Sequence, residues 1–209
     1  MRERRVILVP APAACAVAAG DKLAAMSFLS MPRPLGRWWL LLLLLGGAGC
    51  SPVFNWREVP IGGDGVVALL PCKPDRATRA MPFGGVPTEV EMAGCQAGDA
   101  TFAIARTPVA DAAQARERMA AWRAATREQW SGATFEEAPS SLPRAAAAPS
   151  PIALRVRQPS AAGQNEQGRM LWFAHVARSG QVALYQATVL GEPSSPEAPA
   201  TFFEGIRLP

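Results

Sequence analysis

Residues 169–190 read RMLWFAHVARSGQVALYQATVL. Two apolar runs of strand length, Arg169–Ala177 and Gln181–Leu190, flank Arg178-Ser179-Gly180, a short polar turn. The stretch predicts a β-hairpin, and the rest of the fold can be built outward from it. His175, the single histidine of the chain, shares one side of its strand with Leu171 and Phe173, and Trp172 and Ala174 alternate against it.

Upstream, Gly62-Gly63-Asp64-Gly65 is a turn cluster ahead of a buried strand, Val66–Leu70, which ends at Pro71-Cys72. Ala77–Phe83 predicts another strand, and Gly84-Gly85 is a two-residue hairpin signal. Val86–Cys95 alternates, with Thr88, Val90 and Met92 on one face against Glu89 and Glu91 on the other, as in a half-exposed strand. After a turn at Ala97–Asp99 comes a strand at Ala100–Arg106, with Phe102 and Ile104 facing one way.

Asp111 followed by Gln114 has the form of a capping box and opens a helix running to about Trp130, closed by Gly132. Ala115, Met119, Trp122 and Thr126 recur at helical spacing and predict a packing face. Arg116, Glu117, Arg123, Arg127 and Glu128 fall mostly on the other side, which reads as solvated. Residues 137–151, with AAAAPSP, read as a mobile loop, and Pro151–Arg157 as a short strand. Residues 161–168 read as a loop. Ser194 and Ser195 are candidate caps for a last helix carrying Phe202, Phe203 and Ile206.

Strands, helix, strands, helix in this order predict an α+β fold: an antiparallel sheet with two helices packed on one face. A single domain over residues 56–209 is long enough to bury about 68–70% of its unfolded surface. The layout looks like the PsbP-like fold, a resemblance of arrangement alone.

The chain carries 21 Lys+Arg against 17 Asp+Glu. Six of the basic residues (Arg2, Arg4, Arg5, Lys22, Arg33, Arg37) and only two of the acidic ones (Glu3, Asp21) precede Cys50. The remainder is formally neutral, so the basic pI describes the leader, and a nucleic-acid partner is not expected.

In that leader, Arg33 and Arg37 precede an unbroken apolar run, Trp38–Leu45, then Gly46-Gly47-Ala48-Gly49 and Cys50. This is the order of a secretory signal, and its apolar run is far shorter than the roughly 20 residues of a membrane-spanning helix. Gly47-Ala48-Gly49-Cys50 resembles the lipobox of bacterial lipoproteins, with Gly47 where a Leu is usual. That resemblance implies a diacylglyceryl group on the Cys50 sulfur, cleavage before Cys50, and a membrane as partner through the lipid. The other reading is an ordinary signal cut after Ala48 or Gly49, which leaves Cys50 a free or paired thiol. Ser51 lacks the Asp that often signals inner-membrane retention in the family, so the resemblance implies an outer-membrane protein facing the periplasm. The part after Cys50 is similar in character to small bacterial envelope lipoproteins.

The predicted organisation is therefore residues 1–30 as an N-terminal extension, read as a misplaced gene start with translation at Met31 or Met26, the alternative being a real, disordered extension. The signal peptide follows at 31–49, a tether at 50–55 and the domain at 56–209. Cys72 and Cys95 remain as an even pair in an exported chain and predict a disulfide, closing a loop that stabilises by roughly 3 kcal/mol. Two buried reduced thiols are the alternative, suited to a cytosolic protein.

No catalytic or metal-ligating motif is found. One histidine and scattered carboxylates give no metal spacing, no G-x-S-x-G occurs, and the paired glycines lack the strand–loop–helix setting of a phosphate loop. Cofactors and metals are not expected. His175 reads as a satisfied or surface strand histidine. Of the two carboxylate pairs, Glu136-Glu137 and Glu89/Glu91, the second reads as an ordinary wet strand face, the other reading being a cation or partner contact. The expected function is a lipid-anchored, non-catalytic binding or accessory module with an envelope protein partner. The alternative is an exported hydrolase-like enzyme, which a deep pocket lined by His175, Tyr185 and carboxylates would favour.

Overall fold

The hairpin at 169–190 lies inside the sheet, and its burial explains the architecture. Met170 to His175 are buried at six successive positions. A strand covered on one side only would alternate, so this one must be covered on both faces.

The computed structural model describes residues 53–83, 85–159 and 165–209, all within one compact unit, Cys50–Pro209. In chain order the elements are β1 (Arg57–Ile61), β2 (Val66–Leu70), β3 (Asp75–Phe83), β4 (Val86–Ala97), β5 (Ala100–Val109), α1 (Ala112–Gln129), β6 (Thr134–Pro139), β7 (Ile152–Pro159), β8 (Asn165–Val176), β9 (Val182–Gly191) and α2 (Ala198–Glu204). Seven strands form one antiparallel sheet in the order β3-β4-β5-β9-β8-β7-β6, and β1 and β2 form a separate antiparallel hairpin. The fold is α+β, dominated by an antiparallel sheet, as the sequence predicts.

The two helices do not share a face. α1 packs through Ala115, Met119 and Trp122 on the side of Met170, Trp172, Ala174 and Leu184. The β1–β2 hairpin and α2 cover the opposite side, over Phe102, Ile104, Leu171, Phe173 and Tyr185. The expectation of two helices on one face is corrected: β8 carries large apolar residues on both sides, and each side needs its own cover.

Two further elements depart from the sequence reading. β1 is a strand where no strand is predicted, paired from Arg57 opposite Leu70 to Ile61 opposite Val66. β6 is also new, so residues 137–139 of the expected loop belong to the sheet edge. The rest of that stretch is held at two points. Ser140 donates its amide to the Pro151 carbonyl, and Ala146 donates to the Ala174 carbonyl on β8. Likewise β8 extends back to Asn165, into the expected loop at 161–168, whose residues 161–164 lie outside the described residues.

At α1 the predicted cap is present in detail. The Gln114 amide donates to the Asp111 carboxylate at 2.8 Å, and the Gln114 side chain accepts from the Ala110 amide at 2.7 Å. The return bond reaches one residue before the cap. At α2 the expected serine cap is not formed: Glu197 is the cap residue and makes no side-chain capping bond, while Ala198 donates to the Ser195 carbonyl. Packing begins at Phe54, inside the expected tether, with its ring stacked on Trp56 and edge-on to Phe102.

Candidate functional site

The most concentrated polar chemistry of the described residues sits beneath the β1–β2 turn. Gly62 and Gly65 there take left-handed backbone, φ 65° and 82°. Together they turn the chain so that the Asp64 side chain points inward, where it is only 3% exposed. Arg106 on β5 meets it through Nε, 3.2 Å from each carboxylate oxygen. Tyr185 on β9, opposite Arg106 in the sheet register, donates its hydroxyl to Asp64 Oδ2 at 2.5 Å. Arg106 Nη1 reaches further, to Glu91 Oε1 on β4 at 3.4 Å. Gly62 is required by space as well as by backbone angle, because a Cβ there would lie 2.5 Å from Arg106 Nε.

The electrostatics follow from this packing. Burial raises the Tyr185 phenol well above its ordinary range, and the hydrogen bond to Asp64 raises it further. Burial works against the charge on Arg106, but Tyr185 and Asp64 beside it more than offset that, and the guanidinium is raised. Tyr185 is thus held as a neutral donor, Arg106 as a cation, and Asp64 accepts from both. Asp64 and Tyr185 are buried and bonded to one another and Asp64 to Arg106, an arrangement that clamps the hairpin turn to the sheet. Aromatic stacking extends it: the Phe173 and Tyr185 rings lie 4.9 Å apart and nearly parallel.

The other end of the hairpin is where the cysteine pair meets. Cys72, just after β2, and Cys95, on β4, are brought to disulfide distance with Cα atoms 5.9 Å apart. The predicted pair is therefore together in the fold. Cys50 lies outside the described residues.

His175 is buried, and neither ring nitrogen has a hydrogen-bond partner among the described residues. The expectation of a satisfied or surface histidine is corrected. It lies on the same side of the sheet as Tyr185, yet neither residue lines any of the surface cavities described. The carboxylate pairs are also more engaged than expected. Glu91 joins Arg106, and Glu137 on β6 accepts from Arg123 and Arg127 of α1. Those bonds, first the one from Arg123, hold the Glu137 carboxyl below its ordinary value.

The sequence reading missed Asp64 and Arg106 as site residues. Their only local signal is an acid enclosed by turn glycines and an arginine at the end of an otherwise apolar strand. Among the described residues no group of three or more His, Cys, Asp or Glu is placed to hold a metal ion, and no helix is long and apolar enough to cross a membrane. No protein-family model matches the chain, and no curated protein matches it.

Proposed function

We propose that the chain is a lipid-anchored lipoprotein of the bacterial cell envelope, attached through Cys50, whose folded part is a non-catalytic binding or accessory module. One observation carries the reading: the Arg33/Arg37, Trp38–Leu45, Gly46–Gly49, Cys50 series has the order of a lipoprotein signal. A diacylglyceryl group supplies two acyl chains, which is the number needed for stable anchoring. Cys72 and Cys95 at disulfide distance suit an oxidising compartment. The internally bonded Asp64–Arg106–Tyr185 cluster supports a structural use of the strongest polar site. Ser51 favours the outer membrane and a periplasmic orientation, with an envelope protein as partner. Translation begins at Met31 or Met26 in this reading, and the layout of sheet and helices is PsbP-like.

The test is expression in a bacterial host with labelled palmitate, for the natural chain and for Cys50→Ala. The natural chain should take up label and fractionate with the outer membrane. The variant should take up none and either appear in the soluble periplasmic fraction or remain as uncut precursor. Equal membrane association of processed, unlabelled protein in both would contradict the anchor.

A further inference from the structure

Beside α2, on the hairpin face of the sheet, two cavities of about 590 and 270 Å³ share Ser140, Leu171 and Phe203 in their walls and so form one groove. The larger volume falls in the range of small-molecule sites, and the smaller lies just below it. The floor is apolar: Leu171 from β8, Phe203 and Pro199 from α2, Leu142 from the loop after β6 and Leu208 from the C-terminus.

The rim is cationic. Arg155 on β7 and Arg169 on β8 are directly opposite each other and exposed, at one end of the groove. Like charges in that register repel, and an antiparallel sheet has no structural need of them. Glu136 is opposite Arg155 on its other side, but the ion pairs among the described residues leave Arg155 and Arg169 without a carboxylate within 4 Å. At the other end, Arg144 crosses to the C-terminal segment and donates to the Leu208 carbonyl at 3.3 Å, from a left-handed backbone of φ 65°. Arg207 there is already paired with Glu58, and Glu204 is the one acidic residue in the groove wall. An apolar channel with two guanidinium groups at one mouth, neither in an ion pair among the described residues and with Glu136 as the one acidic cross-strand neighbour, is complementary to an acidic head on an apolar tail.

We propose that this groove binds a single-chain anionic amphiphile. Its phosphate or carboxylate head would sit between Arg155 and Arg169, and its tail would run along Leu171 and Phe203 toward Leu142. The binding is separate from the Cys50 anchor, so it is tested on a chain beginning at Ser51. Both apolar clusters, the cysteine pair and every described element lie after that point, and circular dichroism with a cooperative melt checks the fold of each protein used.

Calorimetric titration with dodecyl phosphate, below its micelle concentration, should give one site per chain. Dodecyl maltoside, with the same tail and no charge, and inorganic phosphate, with no tail, should each bind at least about tenfold more weakly. Arg155→Gln with Arg169→Gln should weaken dodecyl phosphate binding about tenfold and leave the melting temperature unchanged or higher. Ala200→Glu, an exposed groove position, should weaken it without touching the sheet. The proposal is overturned by absence of one-site binding, by equal affinity for dodecyl maltoside, or by unchanged affinity in both variants. It is also overturned if the chain ignores the monomeric amphiphile and associates only with phosphatidylglycerol vesicles, which would make the arginines a membrane-facing patch.

Discussion

The two faces of the sheet are covered by different physical means. On the α1 face, one amphipathic helix lays a stripe of Ala115, Met119 and Trp122 on the sheet, with Trp122 stacked on Phe83 at 4.8 Å. Its polar ties, Arg123 and Arg127 to Glu137, lie toward solvent and contribute little. On the other face, a hairpin of two five-residue strands and a seven-residue helix are each too short to stand alone, and the hairpin is locked down from outside. The hairpin turn is held by Asp64, Arg106 and Tyr185, and its open end by Cys72 and Cys95. A local periodic element can be held by apolar area alone, whereas short elements need bonds between residues far apart in the chain.

The largest expected effect tests the buried clamp. Asp64→Ala leaves the Tyr185 hydroxyl without its acceptor and the buried Arg106 with only the half-exposed Glu91, and should cost about 3–5 kcal/mol in denaturant unfolding. A loss under about 1 kcal/mol would mean that apolar packing alone seats the hairpin, and the contrast between faces would fail. Next, Cys72→Ala with Cys95→Ala should lower stability by about 3 kcal/mol, with no change expected in a reducing buffer.

Smaller effects belong to the α1 face. Asp111→Ala removes the helix cap and should cost about 1 kcal/mol. Glu137 gives a pH signature. Its carboxyl is depressed in the folded chain, so its stabilisation is complete above the ordinary value of 4.5 and is lost as pH falls through the lower folded value. Because the group is partly exposed, the effect is about 0.5 kcal/mol, and Glu137→Gln should remove that part of the acid limb of a stability–pH curve. An unchanged acid limb would assign it to other carboxylates.

The same contrast explains what could be read in advance. The α1 stripe and cap, the β8–β9 hairpin and the alternation of β4 are local periodic signals, and each appears where the sequence places it. β6 escaped because it is an edge strand with mostly exposed residues and ends in Pro139, so it lacks alternation. β1 is short and interrupted by Pro60. The side each helix takes was hidden in Met170–His175, whose unbroken burial requires two covers. The clamp was not legible, because Asp64 is 42 residues from Arg106 and 121 from Tyr185. Only the cysteine pair, a long-range link with its own residue type, could be anticipated.

The proposed state of the protein is a domain with a Cys72–Cys95 disulfide, attached to the membrane by a lipid on Cys50. Intact mass of the protein taken from the membrane fraction, before and after reduction, tests it most directly. The account predicts a chain beginning at Cys50 that carries acyl groups and gains two hydrogens on reduction. An unacylated chain beginning at another residue would contradict it.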